Sequence, residues 1–172
     1  GFNTVDFGVV GIPMLFMFII LMFIGASSSS TGGGIKTSTL SVVLTDVWRT
    51  VRGLDHVHLY KRTIGPMLRS RAYSVLLFFI VGNCLFLFIL TISEKALLNS
   101  GQITFLDLVF EQVSAMGTVG LSTGLTPMLS SAGKIIISLS MFIGRVGTLT
   151  VAFALGGNAL KSHFKYPEGH TM

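Results

Sequence analysis

Phe110-Glu-Gln-Val-Ser-Ala-Met-Gly-Thr-Val-Gly-Leu-Ser-Thr-Gly-Leu-Thr126, closed by Pro127, joins the end of one element to a very different one. Upstream, Phe105, Leu106, Leu108, Val109, Val113 and Ala115 predict a helix over 104–116 at membrane depth. It is too short to span and carries Asp107 and Glu111. An apolar helix of about 10–14 residues at that depth suits a re-entrant element. Thr118-Val119-Gly120-Leu121-Ser122 is then non-helical backbone. Such backbone is tolerated inside a membrane only where it faces protein or a water-filled cavity.

Apolar runs on either side complete the unit. Tyr73 to Ser93 is uncharged and is expected to cross the bilayer between Arg71 and Glu94-Lys95. The stretch 94–104 is then an extracytoplasmic loop. Ala132 to Leu160 is the next expected crossing, interrupted by Gly144-Arg145-Val146-Gly147. The segment 73–160 therefore reads as helix, pore loop, helix. Upstream, Gly8 to Gly25 is a slightly short uncharged span, with Pro13 near its start where a missing amide costs little. It should end at Gly25. The next residues, Ala26, Ser27, Ser28, Ser29, Ser30, Thr31, Gly32, Gly33 and Gly34, have poor helix propensity and abundant backbone freedom.

The connector 35–72 is hydrophilic. Lys36, Arg49, Arg52, Lys61, Arg62, Arg69 and Arg71 outnumber Asp46 and Asp55, which marks the cytoplasmic side. Thr39 to Val51 is amphipathic, with Trp48 as an interface anchor. Two further crossings return the short polar tail, 161–172, to that side. Four segments result: 1–34, 35–72, 73–160 and 161–172.

Composition agrees. Of 172 residues, 51% are hydrophobic and 11% charged, against about 25% charged in soluble domains. Mean hydropathy is +0.77. The expected class is an all-α membrane protein. The net charge of +5 is no nucleic-acid signal, because the basic residues flank apolar runs. The single cysteine, Cys84, allows no intrachain disulfide. The expected spans hold no His, Asp or Glu, which argues against an intramembrane enzyme. His56 and His58 do not share a helical face and read as solvated loop. Gly33-Gly34-Ile35-Lys36-Thr37 lacks the Gly-Lys adjacency and preceding strand of a phosphate loop.

The chain repeats itself. Gly1-Phe2-Asn3-Thr4 returns as Gly120-Leu121-Ser122-Thr123, and Met22-Phe23-Ile24-Gly25 returns as Met141-Phe142-Ile143-Gly144, in one gapless register. Duplicated apolar units commonly surround a central path in transport proteins. Because the first residue already lies inside a repeated motif, the chain is expected to be the C-terminal part of a longer protein.

Thr118-Val119-Gly120 carries the chemistry. Dehydrating a potassium ion requires replacement oxygens, which backbone carbonyls supply. Carbonyls align that way only with unusual dihedrals, which glycine permits. The helix before the tripeptide aims its partially negative end at the same place. A tripeptide alone also fits an ordinary turn; the short helix before it, the span after it and the repeat at Gly1 favour a filter.

The stretch 110–126, with Ser30-Thr31-Gly32-Gly33-Gly34-Ile35-Lys36 and Phe142-Ile143-Gly144-Arg145-Val146-Gly147, resembles the Trk/Ktr/HKT superfamily of potassium transporters, and is most like its bacterial Ktr membrane subunits. The resemblance implies four helix–pore-loop–helix repeats around one ion path. It implies filter residues Gly1 and Phe2 from the third repeat, and Thr118, Val119, Gly120 and Leu121 from the fourth, with potassium held by the backbone of Thr118, Val119 and Gly120. It implies that Ala26 to Gly34 is an intramembrane loop gating the path, although composition alone favours an inert linker there. It implies a multi-pass protein of the bacterial cytoplasmic membrane, in contact with lipid. Partners would be a second copy in a homodimer and a cytoplasmic nucleotide-binding regulatory ring. No cofactor is expected beyond the transported potassium, with sodium stimulation of uptake. The basic stretch from Trp48 to Arg71 and the tail are the candidate contact surfaces for the ring. Thr-Val-Gly-Leu-Ser stands where potassium channels have Thr-Val-Gly-Tyr-Gly, a departure that the family shares.

Arg145 falls at mid-membrane, where an isolated charge costs roughly 2.5 to 3.5 kcal/mol by insertion scales. It either pairs with backbone carbonyls or presents fixed charge to the path, and the repeat register sets it opposite Ala26. The family's matching arginine contacts the loop. Asp107 and Glu111, four apart, either draw cations to the outer mouth or, for Glu111, hold the pore helix by hydrogen bonds. The competing function is a non-conducting membrane scaffold that retains a degenerate pore repeat.

Overall fold

The computed structural model describes residues 4, 7–8, 10–27, 32–53, 58–59, 62–63 and 66–146. Gly1, Phe2, Ser28, Ser29, Ser30, Thr31, Asp55, His56 and 147–172 lie outside the described residues. Among the described residues six α-helices run in order: α1 (Ile12–Phe23), α2 (Thr37–Arg52), α3 (Pro66–Ser93), α4 (Lys95–Asn99), α5 (Phe105–Met116) and α6 (Ser131–Val146). Between α2 and α3, His58–Leu59 pairs antiparallel with Arg62–Thr63, a short ribbon in a chain expected to be wholly helical.

Helix α5 organises the rest. Thr104 and Asp107 form a reciprocal capping box at its start, satisfying two amides that would otherwise lack partners. Every residue from Phe110 to Met116 is buried. Its apolar side chains enter three clusters. Leu108 and Ala115 join Leu90, Leu129 and Ile137; Phe110 and Val113 join Phe7, Leu15 and Met22; Met116 joins Ile35 and Phe79. Helices α1, α3 and α6 thus enclose a helix of 12 residues.

Among the described residues one helix, α3, is long and apolar enough to cross a bilayer, over Arg69–Ser93. The helix begins at Pro66, seven residues before the expected start, because Pro suits a first turn. The expected span 8–25 holds instead a 12-residue helix, α1, of about 18 Å by helical rise. The helix ends because Ile24 turns extended and bridges Ile35 in parallel, with Gly25 N donating to Ile35 O at 2.9 Å. The expected loop 94–104 contains α4. Helix α6 begins at Ser131, as 132–160 anticipated, and is described to Val146.

Two buried carboxylates fix the ends of α3. Glu94 accepts from Ser93 Oγ, Ser130 Oγ and Ser130 N, binding the end of α3 to the start of α6. Asp46 of α2 accepts from Arg69 Nη1 at 3.1 Å and Tyr73 Oη at 2.9 Å, joining α2 to α3. The opposite face of α2 exposes Leu44, Val47, Trp48 and Val51, with Arg52 stacked over the Trp48 ring.

Candidate functional site

The turn that ends α5 builds the site. Thr118 N donates to Ala115 O and Val119 N to Ser114 O, the paired bonds of a Schellman motif. That motif needs a left-handed residue after the cap, usually glycine. Here the cap, Gly117, is right-handed with φ −71°, and the left-handed residue is Thr118 with φ 52°. Among the described residues Thr118 is the one non-glycine with positive φ. A left-handed residue other than glycine costs about 1–2 kcal/mol. Gly120 is also left-handed, with φ 87°. Left-handed backbone therefore occurs at Thr118 and Gly120, on either side of Val119.

Side chains of α5 hold the loop beyond the turn. Ser114 Oγ donates to Leu121 O at 2.6 Å. Glu111 accepts from Ser122 Oγ, and from Thr126 Oγ1 at 3.0 Å. Ser122 Oγ in turn accepts from Gly124 N. Glu111, buried on α5, thus ties the loop to that helix by hydrogen bonds, which is the second of the two roles expected for it. Asp107 serves the helix cap. Behind the loop, buried Gln112 donates from Nε2 to Ser140 Oγ on α6 at 2.7 Å.

A second loop meets the first. Gly33 N donates to Thr118 Oγ1 at 2.6 Å, across 85 positions of sequence. A Cβ on Gly33 would lie 2.7 Å from Thr118 Oγ1 and 2.8 Å from its Cγ2. The loop is closed at its base by the Ile24–Ile35 bridge and by Thr37 N donating to Ala26 O. Gly34, with φ 76°, lies against Gly25 backbone. Lys36 Nζ folds back onto Gly32 O at 2.6 Å. A cavity of about 330 Å³ lies between the two loops, lined by Met22, Gly25, Ala26, Gly32 and Gly33 on one side and by Gly117, Thr118, Val119 and Leu121 on the other.

Several expected site residues thus share one cavity: Thr118, Val119 and Leu121 with Ala26, Gly32 and Gly33. Ser27 is exposed beside Ala26. Gly120 continues the loop but is outside the cavity lining. Arg145 occupies the last turn of α6, exposed, next to Gly144. Gly144 lies so close to Met116 carbonyl oxygen that any Cβ would collide. Sequence reading missed Ser114, Gln112 and Ser140, and missed the hydroxyl of Thr118. Ser114 had a signal, since a serine three residues before a helix-ending glycine faces the turn. The Thr118–Gly33 contact had none. Among the described residues no group of three or more His, Cys, Asp or Glu could hold a metal ion.

A short buried helix, a non-helical loop with left-handed residues and an apposed glycine loop meet at this site, and comparison with known proteins supplies the class. Residues 1–156 match the TrkH family of cation transport proteins, and the chain belongs to that family. It is a family of transporters, not of enzymes. The chain is 44% identical to Ktr system potassium uptake protein B of Bacillus subtilis, over 100% of this chain and 37% of that protein. It is 42% identical to the protein of the same name from Vibrio alginolyticus, over 98% and 35%. It is 37% identical to the potassium/sodium uptake protein NtpJ of Enterococcus hirae, over 100% and 38%. The chain therefore spans little more than a third of the length of these relatives.

Proposed function

We propose that this chain is part of the pore-forming subunit of a bacterial potassium uptake system. Backbone carbonyls of Thr118, Val119 and Gly120 take the place of water around a monovalent cation. The loop formed by Ala26, Ser27 and Gly32 to Gly34 opposes them and governs passage. The observation that carries this reading is the left-handed backbone at Thr118 and Gly120, following a buried helix, with Thr118 bordering a cavity shared with the glycine loop. Irregular backbone at such depth is otherwise too costly to keep. The uptake activities named for the relatives support the substrate class.

In this reading α3 and α6 cross the cytoplasmic membrane, and α5 enters and leaves from the outer side. Arg145 supplies fixed positive charge beside the loop. The full assembly is a homodimer in lipid, served by a cytoplasmic nucleotide-binding ring against the basic connector, with uptake stimulated by sodium. Rubidium uptake by the full-length protein in a potassium-uptake-deficient cell tests the reading. Gly120→Asp should abolish uptake with the protein still inserted. No uptake above background by the unaltered protein favours a non-conducting scaffold, and undiminished uptake by Gly120→Asp removes Gly120 from the path.

A further inference from the structure

Thr118 breaks a local rule. Its position in the turn calls for glycine, and glycine stands immediately before it at 117 and two residues after it at 120. A β-branched residue held left-handed persists only where its surroundings compensate. Three observations identify the compensation. The hydroxyl accepts from Gly33 N at 2.6 Å. Gly33 is buried against both the hydroxyl and the methyl of Thr118, with room for no side chain of its own. Both residues line the cavity between the loops. A glycine at 118 would relax the turn and offer Gly33 nothing.

We propose that Thr118 is a positioning residue whose hydroxyl latches the Gly32–Gly34 loop to the end of α5, so that filter backbone and loop move as one unit. This rests on the ion-path reading above and assigns its regulation. While the latch is made, the glycine loop is held against the cavity and passage is closed. When Gly33 leaves, the hydroxyl loses its donor and the strained turn loses its compensation. Loop opening is thereby coupled to the conformation of the ion-binding backbone. The shift in open population stays as small as one hydrogen bond allows, about two- to tenfold.

The test uses full-length protein in membranes, with Thr118→Gly, Thr118→Ser and Gly120→Asp. Thr118→Gly relieves the turn, so folding is expected to survive. The peptide containing Gly33 should exchange deuterium about two- to tenfold faster in Thr118→Gly, the amide having lost its acceptor. Basal rubidium flux should rise by a similar factor. Thr118→Ser keeps the acceptor and should leave deuterium exchange at Gly33 at the wild-type rate. Unchanged exchange at Gly33 in Thr118→Gly overturns the latch, and so does a Thr118→Ser variant that moves as far as the glycine variant. The control separates the two ideas. If Gly120→Asp leaves uptake intact, the ion path falls, while exchange at Gly33 still judges the contact. If Gly120→Asp abolishes uptake and Thr118→Gly changes neither readout, only the latch falls.

Discussion

Helices α1 and α6 start at matching points of the repeat, Ile12 and Ser131, and carry the same Met-Phe-Ile-Gly tetrad, yet the backbone at the tetrad differs. In the first, the helix stops at Phe23, and Ile24 and Gly25 pair with Ile35. In the second, Ile143, Gly144 and Arg145 remain helical. Both glycines meet a carbonyl oxygen where no Cβ fits: that of Gly33 for Gly25, that of Met116 for Gly144. The tetrad fixes a close backbone approach, not an end to the helix. The approaching segment decides the outcome. A returning strand-like segment captures the amide of Gly25, whereas the end of a buried helix simply rests on Gly144.

That difference sets the ranking of substitutions. Gly144→Ala should be most damaging, because its Cβ meets the backbone of a helix packed on three sides. We expect a loss of about 3 kcal/mol, at the upper end for overpacking, read as a fall in thermal stability of the full-length protein. Gly25→Ala meets a loop, which yields, and should lose roughly 1 kcal/mol. Equal losses would break the comparison.

Glu111→Ala comes next. It leaves the hydroxyls of Ser122 and Thr126 without their acceptor, at about 1–3 kcal/mol. Stability and uptake should fall together. Intact uptake would mean that the loop after Gly120 needs no anchor. Arg145→Ala sharpens the comparison from the other side, since Arg145 stands where the first copy has Ala26. The expected loss of stability is within about 0.5 kcal/mol, as for an exposed side chain, while rubidium flux or its gating changes. Wild-type flux in correctly inserted protein would remove Arg145 from the path.

The smallest effect lies at Asp46. Burial alone would push this carboxyl up, but hydrogen bonds from Tyr73 and Arg69, with the charges of Arg69 and Arg49, together bring it below its ordinary value. Its contribution to α2–α3 docking is therefore complete above the ordinary carboxylate range and is lost as pH falls through the lowered value. The protection of α2 amides, taken relative to their intrinsic exchange at each pH, should fall on acidification. Asp46→Asn should remove most of that dependence.

Much of this was legible in the chain. The short helix before Thr118, an amphipathic helix over 39–51 and the start of α6 come from apolar patterning and glycine placement. Three things were not. The left-handed residue falls on Thr118 although Gly117 adjoins it, because two hydrogen bonds back to Ala115 and Ser114 set the turn's phase. Helix α1 is shorter than its apolar run, because the ending depends on Ile35, beyond the Ser/Gly stretch. The bond from Gly33 to Thr118 joins residues too distant in sequence for any local pattern to relate. In each case tertiary contact overrides local preference.

Anomalous diffraction from crystals of the full-length protein grown in rubidium bears most directly on the central claim. A rubidium peak is expected beside the main-chain oxygens of Thr118, Val119 and Gly120, on the axis that leads to the Gly33 loop. No rubidium there, with Gly120 facing lipid, would contradict it.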